Sequence, residues 1–162
     1  AQKYIRTQKL ELSWLDLVSE EELCSVARDT IGREDVSLKN VDFSEKTDVE
    51  TIDSLIKWAL TISPQRAANL LKYFLDMRQA MTEIHRVLKN EGYAIIVLGN
   101  NKVLGKYVKT YKLMADLAVS SGFELKLIFK DRIRGRGMIT KRHNLGGLIK
   151  EEFVVVLRKV TD

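Results

Sequence analysis

The densest chemistry-bearing stretch of this sequence is rich in glycine and arginine. Arg132, Arg134 and Arg136 alternate, Lys141 and Arg142 follow, and Gly135 and Gly137 leave room for close backbone approach. Guanidinium groups grip phosphate oxygens in a bidentate fork, and such contacts supply much of a protein's affinity for nucleic acid. The same composition also suits a solvated connection, and phosphate contact does not by itself imply that any of these residues reads a base. A second candidate is Gly99-Asn100-Asn101, whose amides suit a base or a cofactor, although Asn and Gly are also ordinary turn residues. Lys102, Lys106, Lys109 and Lys112 come next with no acid among them. On a helix the first three share a face, which is either a phosphate-tracking surface or a solvated one.

Other chemistries find little support. His85 and His143 are the only imidazoles, and no His, Cys or carboxylate cluster stands at ligand spacing, so no metal site is expected. No Ser-His-Asp or Cys-His arrangement is present, and no catalytic residue is assigned within this chain. Cys24 is the one cysteine; it forms no internal disulfide, suits a reducing compartment and reads as a small buried apolar residue. Met77, Met81, Tyr73 and Phe74 read as core.

Charge distribution supports the anion reading. Residues 1–92 carry 13 Lys/Arg and 16 Asp/Glu, a net of −3, whereas residues 93–162 carry 14 and 6, a net of +8. Positive charge gathered in one half marks a candidate for a polyanionic partner; a basic solvated face is the plainer alternative. The 162 residues, 45% apolar and 30% charged, fit one soluble domain. The longest apolar run, Tyr93 to Leu98, is far short of the roughly 20 residues that span a bilayer. No basic segment with an apolar run behind it opens the sequence, so a cytoplasmic protein without membrane association is expected.

The elements that must position these residues follow from periodicity and end signals. Ile5, Leu10, Trp14 and Leu17 predict an amphipathic helix over residues 4–17. Ser19 and Glu22 form a capping box for a helix ending near Gly32. Residues 33–47 read as a loop, and Asp48 as the cap of a helix ending near Thr61. Ser63-Pro64 starts a long helix whose apolar residues recur as Leu70, Phe74, Met77, Met81, Ile84 and Leu88, closed by a left-handed glycine at Gly92. Tyr93 to Leu98, an unbroken apolar run, predicts a strand buried on both faces. A helix over 106–120 ends at Gly122, and strands are expected at 123–129 and 153–157. The result is a single domain over 1–162, with a helical segment at 1–62 and a helix-strand-helix-strand-strand core at 63–162.

The strand–helix–strand order predicts a right-handed parallel crossover, and the final directly joined pair is expected to be antiparallel. Three strands do not shield a run as apolar as 93–98. The expectation is that another chain or segment completes the sheet, or that this is a piece of a larger α/β domain.

Residues 73–77 and 81–97, Tyr-Phe-Leu-Asp-Met and then Met-Thr-Glu-Ile-His-Arg-Val-Leu-Lys-Asn-Glu-Gly-Tyr-Ala-Ile-Ile-Val, resemble the second half of class I S-adenosylmethionine-dependent methyltransferases. There a Glu-Ile-x-Arg-Val-Leu-Lys-x-x-Gly pattern closes the helix before the fifth strand. Gly122-Phe123 and Glu151 to Lys159 resemble the entry to that fold's sixth strand and its seventh, the lone antiparallel one. Tyr4 to Leu15 is similar to the segment behind the Ser/Asp-Pro-Pro-Tyr motif of DNA amino-methyltransferases acting on cytosine N4 or adenine N6. The resemblance covers residues 1–13 and 64–160 and implies a partial Rossmann-like α/β sheet with helices, its final strand antiparallel and its amino-terminal part helical. It further implies DNA as partner, S-adenosylmethionine as cofactor, and a connection at 131–150 that borders the pocket of a flipped base.

The departures are specific. The only proline is Pro64, so the chain holds no Pro-Pro-Tyr, and no glycine loop follows an early strand. The resemblance therefore places the catalytic and main cofactor-binding motifs outside this chain. A complementary methyltransferase segment or subunit is the expected partner, with a homo-oligomer as the other arrangement, and the chain alone is expected to be inactive. Two further readings stand beside it: a non-catalytic nucleic-acid-binding or assembly module on a degenerate half-fold, and part of an RNA methyltransferase.

Overall fold

A computed structural model describes residues 9–34, 36–133 and 151–160. The chain forms two compact units, Ala1–Met77 and Arg78–Asp162.

The first unit is helical. Its opening helix, α1 (Lys9–Trp14), is shorter than the periodicity predicts, and the apolar residues meant to bury it are exposed: Leu10 by 81% and Trp14 by 90%. Residues 4–8 of the expected helix lie outside the described residues. α2 (Glu20–Asp29) starts on the expected capping box. The Glu22 amide donates to Ser19 Oγ at 3.3 Å, and the Ser19 amide donates to Glu22 Oε2 at 3.0 Å. These bonds hold the Glu22 carboxyl below its ordinary range, the backbone bond most and the hydroxyl next. The Cys24 side chain lies outside the described residues.

The predicted loop contains one 3-10 turn, Leu38–Asn40, and is pinned rather than loose. Gln65 Nε2 donates to the Val36 carbonyl at 2.7 Å and Asn69 Nδ2 to that of Glu34 at 2.9 Å. α3 (Glu50–Ile62) begins one residue later than the sequence suggests. Val49 is its cap, while Asp48 sits at φ 63° outside the helix. The carboxylate that organises this start is Asp53, which accepts from the buried Thr47 through its amide at 2.9 Å and its hydroxyl at 2.8 Å. A buried hydroxyl without such a partner costs about 1–3 kcal/mol.

α4 (Pro64–Val87) begins at the expected proline, and the Ser63 hydroxyl accepts from the Arg66 amide at 3.4 Å. Along its apolar stripe Phe74 and Met81 are buried. Its exit differs from the predicted glycine cap. Glu91 takes the left-handed conformation at φ 63°, and Gly92 serves by lacking a side chain: a Cβ there would lie 2.7 Å from the Lys89 carbonyl oxygen.

In the second unit the three expected strands form, each longer than predicted: β1 (Tyr93–Gly99), β4 (Phe123–Arg132) and β5 (Glu151–Lys159). A short ribbon, β2 (Asn101–Val103) and β3 (Lys106–Val108), follows β1, and α5 (Thr110–Ser120) leads to β4. The predicted helix over 106–120 is thus a strand followed by a shorter helix. Leu104 at φ 49° and Gly105 at φ 81° provide the positive values that a two-residue hairpin turn requires.

The sheet order is β1-β5-β4. β5 runs antiparallel to both neighbours, so β1 and β4 point the same way with the last strand inserted between them. The fold is therefore mixed α/β, and β4 and β5 form the expected antiparallel pair.

α5 packs against one face of the sheet. Met114, Leu117 and Ala118 of the helix and Val155 and Leu157 of β5 are fully buried, and Tyr111 stacks on Phe153 with ring centroids 3.9 Å apart. The other face departs from the prediction that β1 is buried on both sides. Tyr93, Ile95 and Val97 are 55%, 65% and 56% exposed, and Leu127 and Phe129 of β4 share that face at 53% and 46%. An unbroken apolar run shows that exposure is unfavourable; it does not supply the element that would cover the second face.

Candidate functional site

β1 and β4 run in the same direction, so their carboxyl ends meet at one end of the sheet. Gly99 and Asp131 both pair with Glu152 of the strand between them, and Arg132 pairs with Glu151. Two strand spacings put the β1 and β4 ends about 10 Å apart. The structure thus brings Gly99, Asn100 and Asn101 to the same end as Arg132. Arg134, Arg136, Lys141 and Arg142 lie outside the described residues, as does His143.

At that end Arg132 is exposed, and its surroundings are of mixed charge. Lys130 Nζ donates to Glu151 Oε1 at 3.0 Å, and Asp131 and Glu152 stand beside this pair in register. The described part of the arginine-rich connection is therefore less electropositive than the sequence count suggests. The uninterrupted positive charge sits at the other candidate: between Gly92 and Ala115 there are four lysines and no acid.

Asn100 is half-buried between β1 and β2, and its Nδ2 donates to the Tyr107 hydroxyl at 2.7 Å. Its Oδ1 is buried and has no hydrogen-bond partner among the described residues. Asn101 is exposed and starts β2, opposite Val108. The expected plain turn is a strand-to-ribbon junction, with one amide holding a tyrosine in place. Sequence reasoning missed the ribbon, although Val103-Leu104-Gly105 followed by Tyr107-Val108 carried a signal: β-formers on either side of a glycine turn.

The opposite end of the sheet is electrostatically closed. Arg158 spans two carboxylates, Glu91 Oε2 at 3.0 Å and Glu124 Oε2 at 2.9 Å, and Lys126 lies 2.6 Å from Glu124 Oε1. The hydrogen bond from Lys126 is the main reason the Glu124 carboxyl sits below its ordinary range, with Arg158 adding to it. His85 lies nearby, edge-on to Phe123 at 5.0 Å, with Nε2 buried and unpartnered among the described residues. Burial pushes the Tyr73 phenol up, as for an ordinary core tyrosine. Among the described residues no three His, Cys, Asp or Glu side chains gather as metal ligands, and no helix is long and apolar enough to cross a membrane.

The cofactor implied by the resemblance needs a glycine loop between a strand and a helix, and these residues do not fit that need. β1 leads into a two-stranded ribbon and not into a helix, and one Asn100 N–H is given to the Tyr107 hydroxyl. No family model, curated protein or solved structure matches the chain.

Proposed function

We propose that this chain is the carboxyl-terminal part of a DNA methyltransferase, one that moves a methyl group from S-adenosylmethionine to an exocyclic amine of a DNA base. The observation that carries the reading is the strand order. The last strand enters antiparallel between two strands that run together, which agrees with the lone antiparallel strand of the resembled fold. The carboxyl ends of β1 and β4 then face the same way, as α/β sheets require of a ligand-binding end.

This chain's share of the work is positional. The carboxyl ends of β1 and β4 frame the site, Asn100 fixes Tyr107 beside it, and the basic residues from Arg132 onward hold the DNA backbone. The chemistry needs Pro-Pro-Tyr and a glycine loop, neither of which is in this sequence. The complementary segment that brings them also covers the apolar face formed by Tyr93, Ile95, Val97, Leu127 and Phe129. A Rossmann-like sheet is completed in that assembly.

The test combines the purified chain with a polypeptide carrying both motifs and follows labelled methyl transfer to duplex DNA. Transfer by the pair and none by either part is the expected result. Turnover by this chain alone overturns the division of labour. No transfer by the pair, together with salt-sensitive DNA binding, favours the non-catalytic module instead. Transfer to structured RNA in preference to DNA favours the RNA enzyme.

A further inference from the structure

We infer that the β2–β3 ribbon is a nucleic-acid-binding finger, in which Tyr107 receives an unstacked base and the lysines around it hold the flanking phosphates. The inference deepens the nucleic-acid part of the proposed function and rests on it.

The register decides which side chains the ribbon offers. Lys102 stands opposite Tyr107, while Asn101 stands opposite Val108 and Val103 opposite Lys106. Directly opposed residues share a face and successive residues alternate, so Lys102 and Tyr107 form one face and the two valines lie on the other. Val108 is buried and Val103 half-buried, which turns the valine face inward and the Lys102–Tyr107 face to solvent.

Tyr107 is 56% exposed, yet its hydroxyl is tied at 2.7 Å to the half-buried Asn100. The ring is therefore held by its polar tip while its aromatic surface stays accessible. Such a ring stacks on a base with little further loss of rotamer freedom. Lys102 is beside it, Lys106 stands on the other face opposite Val103, and Lys109 and Lys112 are exposed at the start of α5. An exposed, pre-oriented aromatic with Lys102 opposite it, and with Lys109 and Lys112 exposed in the acid-free stretch that follows, is complementary to a strand of nucleic acid, in which phosphates alternate with π-faces. The lysine series was read from sequence as one helix face. The ribbon instead sets an exposed aromatic ring opposite Lys102, which a solvated face does not need.

The test measures fluorescence anisotropy of a labelled 20-nucleotide single-stranded DNA against the full chain over a salt series, with the matching duplex and RNA in parallel. Tyr107→Ala is expected to weaken single-strand binding about tenfold, and Tyr107→Phe, which keeps the ring, by less than about threefold. Lys102→Gln combined with Lys109→Gln is expected to lower the slope of log K against log salt by about 1.4, two phosphate contacts' worth on a single strand. The lysine variants alter exposed ammonium groups only, so they test the finger even if loss of the Tyr107 ring disturbs the ribbon. Unchanged affinity in Tyr107→Ala together with an unchanged slope in the lysine variant overturns the finger and leaves the methyltransferase reading intact. Binding of neither DNA nor RNA by the unaltered chain overturns both. RNA binding that depends on Tyr107 supports the finger while moving the proposed substrate from DNA to RNA.

Discussion

The two ends of the three-stranded sheet are built from similar residue types and differ in what stands beside their ion pairs. At the amino ends of β1 and β4, Arg158 is held between Glu91 and Glu124, and Lys126 closes the second carboxylate. These charges pair with one another. At the carboxyl ends, Lys130 pairs with Glu151, while Lys102 of the β2–β3 ribbon is exposed opposite the exposed Tyr107. Charge paired within the chain serves structure, whereas Lys102 is exposed opposite an accessible ring, where a ligand can reach it. Total net charge does not separate the two.

The sharpest way to break this comparison is to remove what both ends share. Leu157 is fully buried between β5 and α5, and Leu157→Ala is expected to cost about 3 kcal/mol by urea unfolding followed by far-UV circular dichroism. Both ends of the sheet should then lose protection from hydrogen exchange together. Loss at one end only would show that the two are not one cooperative structure.

Two glycines refine the contrast. Gly122 at the closed end has φ 95°, and a Cβ there would lie 3.1 Å from His85 Nε2; Gly105 at the open end has φ 81° and nothing within 4 Å. Gly122→Ala should cost about 2 kcal/mol, combining backbone strain with displacement of the imidazole. Gly105→Ala should cost about 1 kcal/mol, from strain alone, and weaken nucleic-acid binding by distorting the ribbon. Equal stability losses would mean that the His85 contact yields freely.

The smallest effect is expected from the closed ion cluster, because exposed ion pairs contribute little. Arg158→Ala should lower Tm by about 2–4 °C at neutral pH. Since the Glu124 carboxyl lies below its ordinary value in the folded chain, its contribution is present above 4.5 and is lost as pH falls through the lowered value. The wild-type chain should therefore lose stability on acidification through that window, and Arg158→Ala should lose less. Identical acid limbs in the two would remove Arg158 from the account of Glu124.

Much of the fold was legible from local signals. Ser19 and Glu22 specify their capping box within four residues, Pro64 fixes the start of α4, and Gly122 marks the end of α5 at a positive φ. The errors arose where local patterns were compatible with two outcomes. The spacing of Lys106, Val108 and Tyr111 suits a helix, but Leu104 accepts φ 49° and turns the chain into a ribbon first. Asp48 has the chemistry of a helix cap, yet Asp53 satisfies Thr47 from inside the helix, and Asp48 is left beyond its end. For the candidate site, residue type and position single out Gly99, Asn100 and Arg132, and the structure sets them at one end of the sheet; Tyr107, inferred above to meet a base, carries no local mark that separates an exposed tyrosine from a core one.

The sequence by itself determined the starts of α2 and α4 and the stop behind α5, because caps, prolines and glycine turns act over a few residues. It also determined that positive charge is gathered behind residue 92. Only the tertiary structure decided that β5 enters between β1 and β4, that one face of the apolar β1 is exposed, and which charges neutralise each other. Strand order, shelter and ion pairing depend on contacts between residues far apart in sequence. Arg158 and Glu91 are 67 positions apart, yet they meet at 3.0 Å. Their separation along the chain carries no trace of that distance.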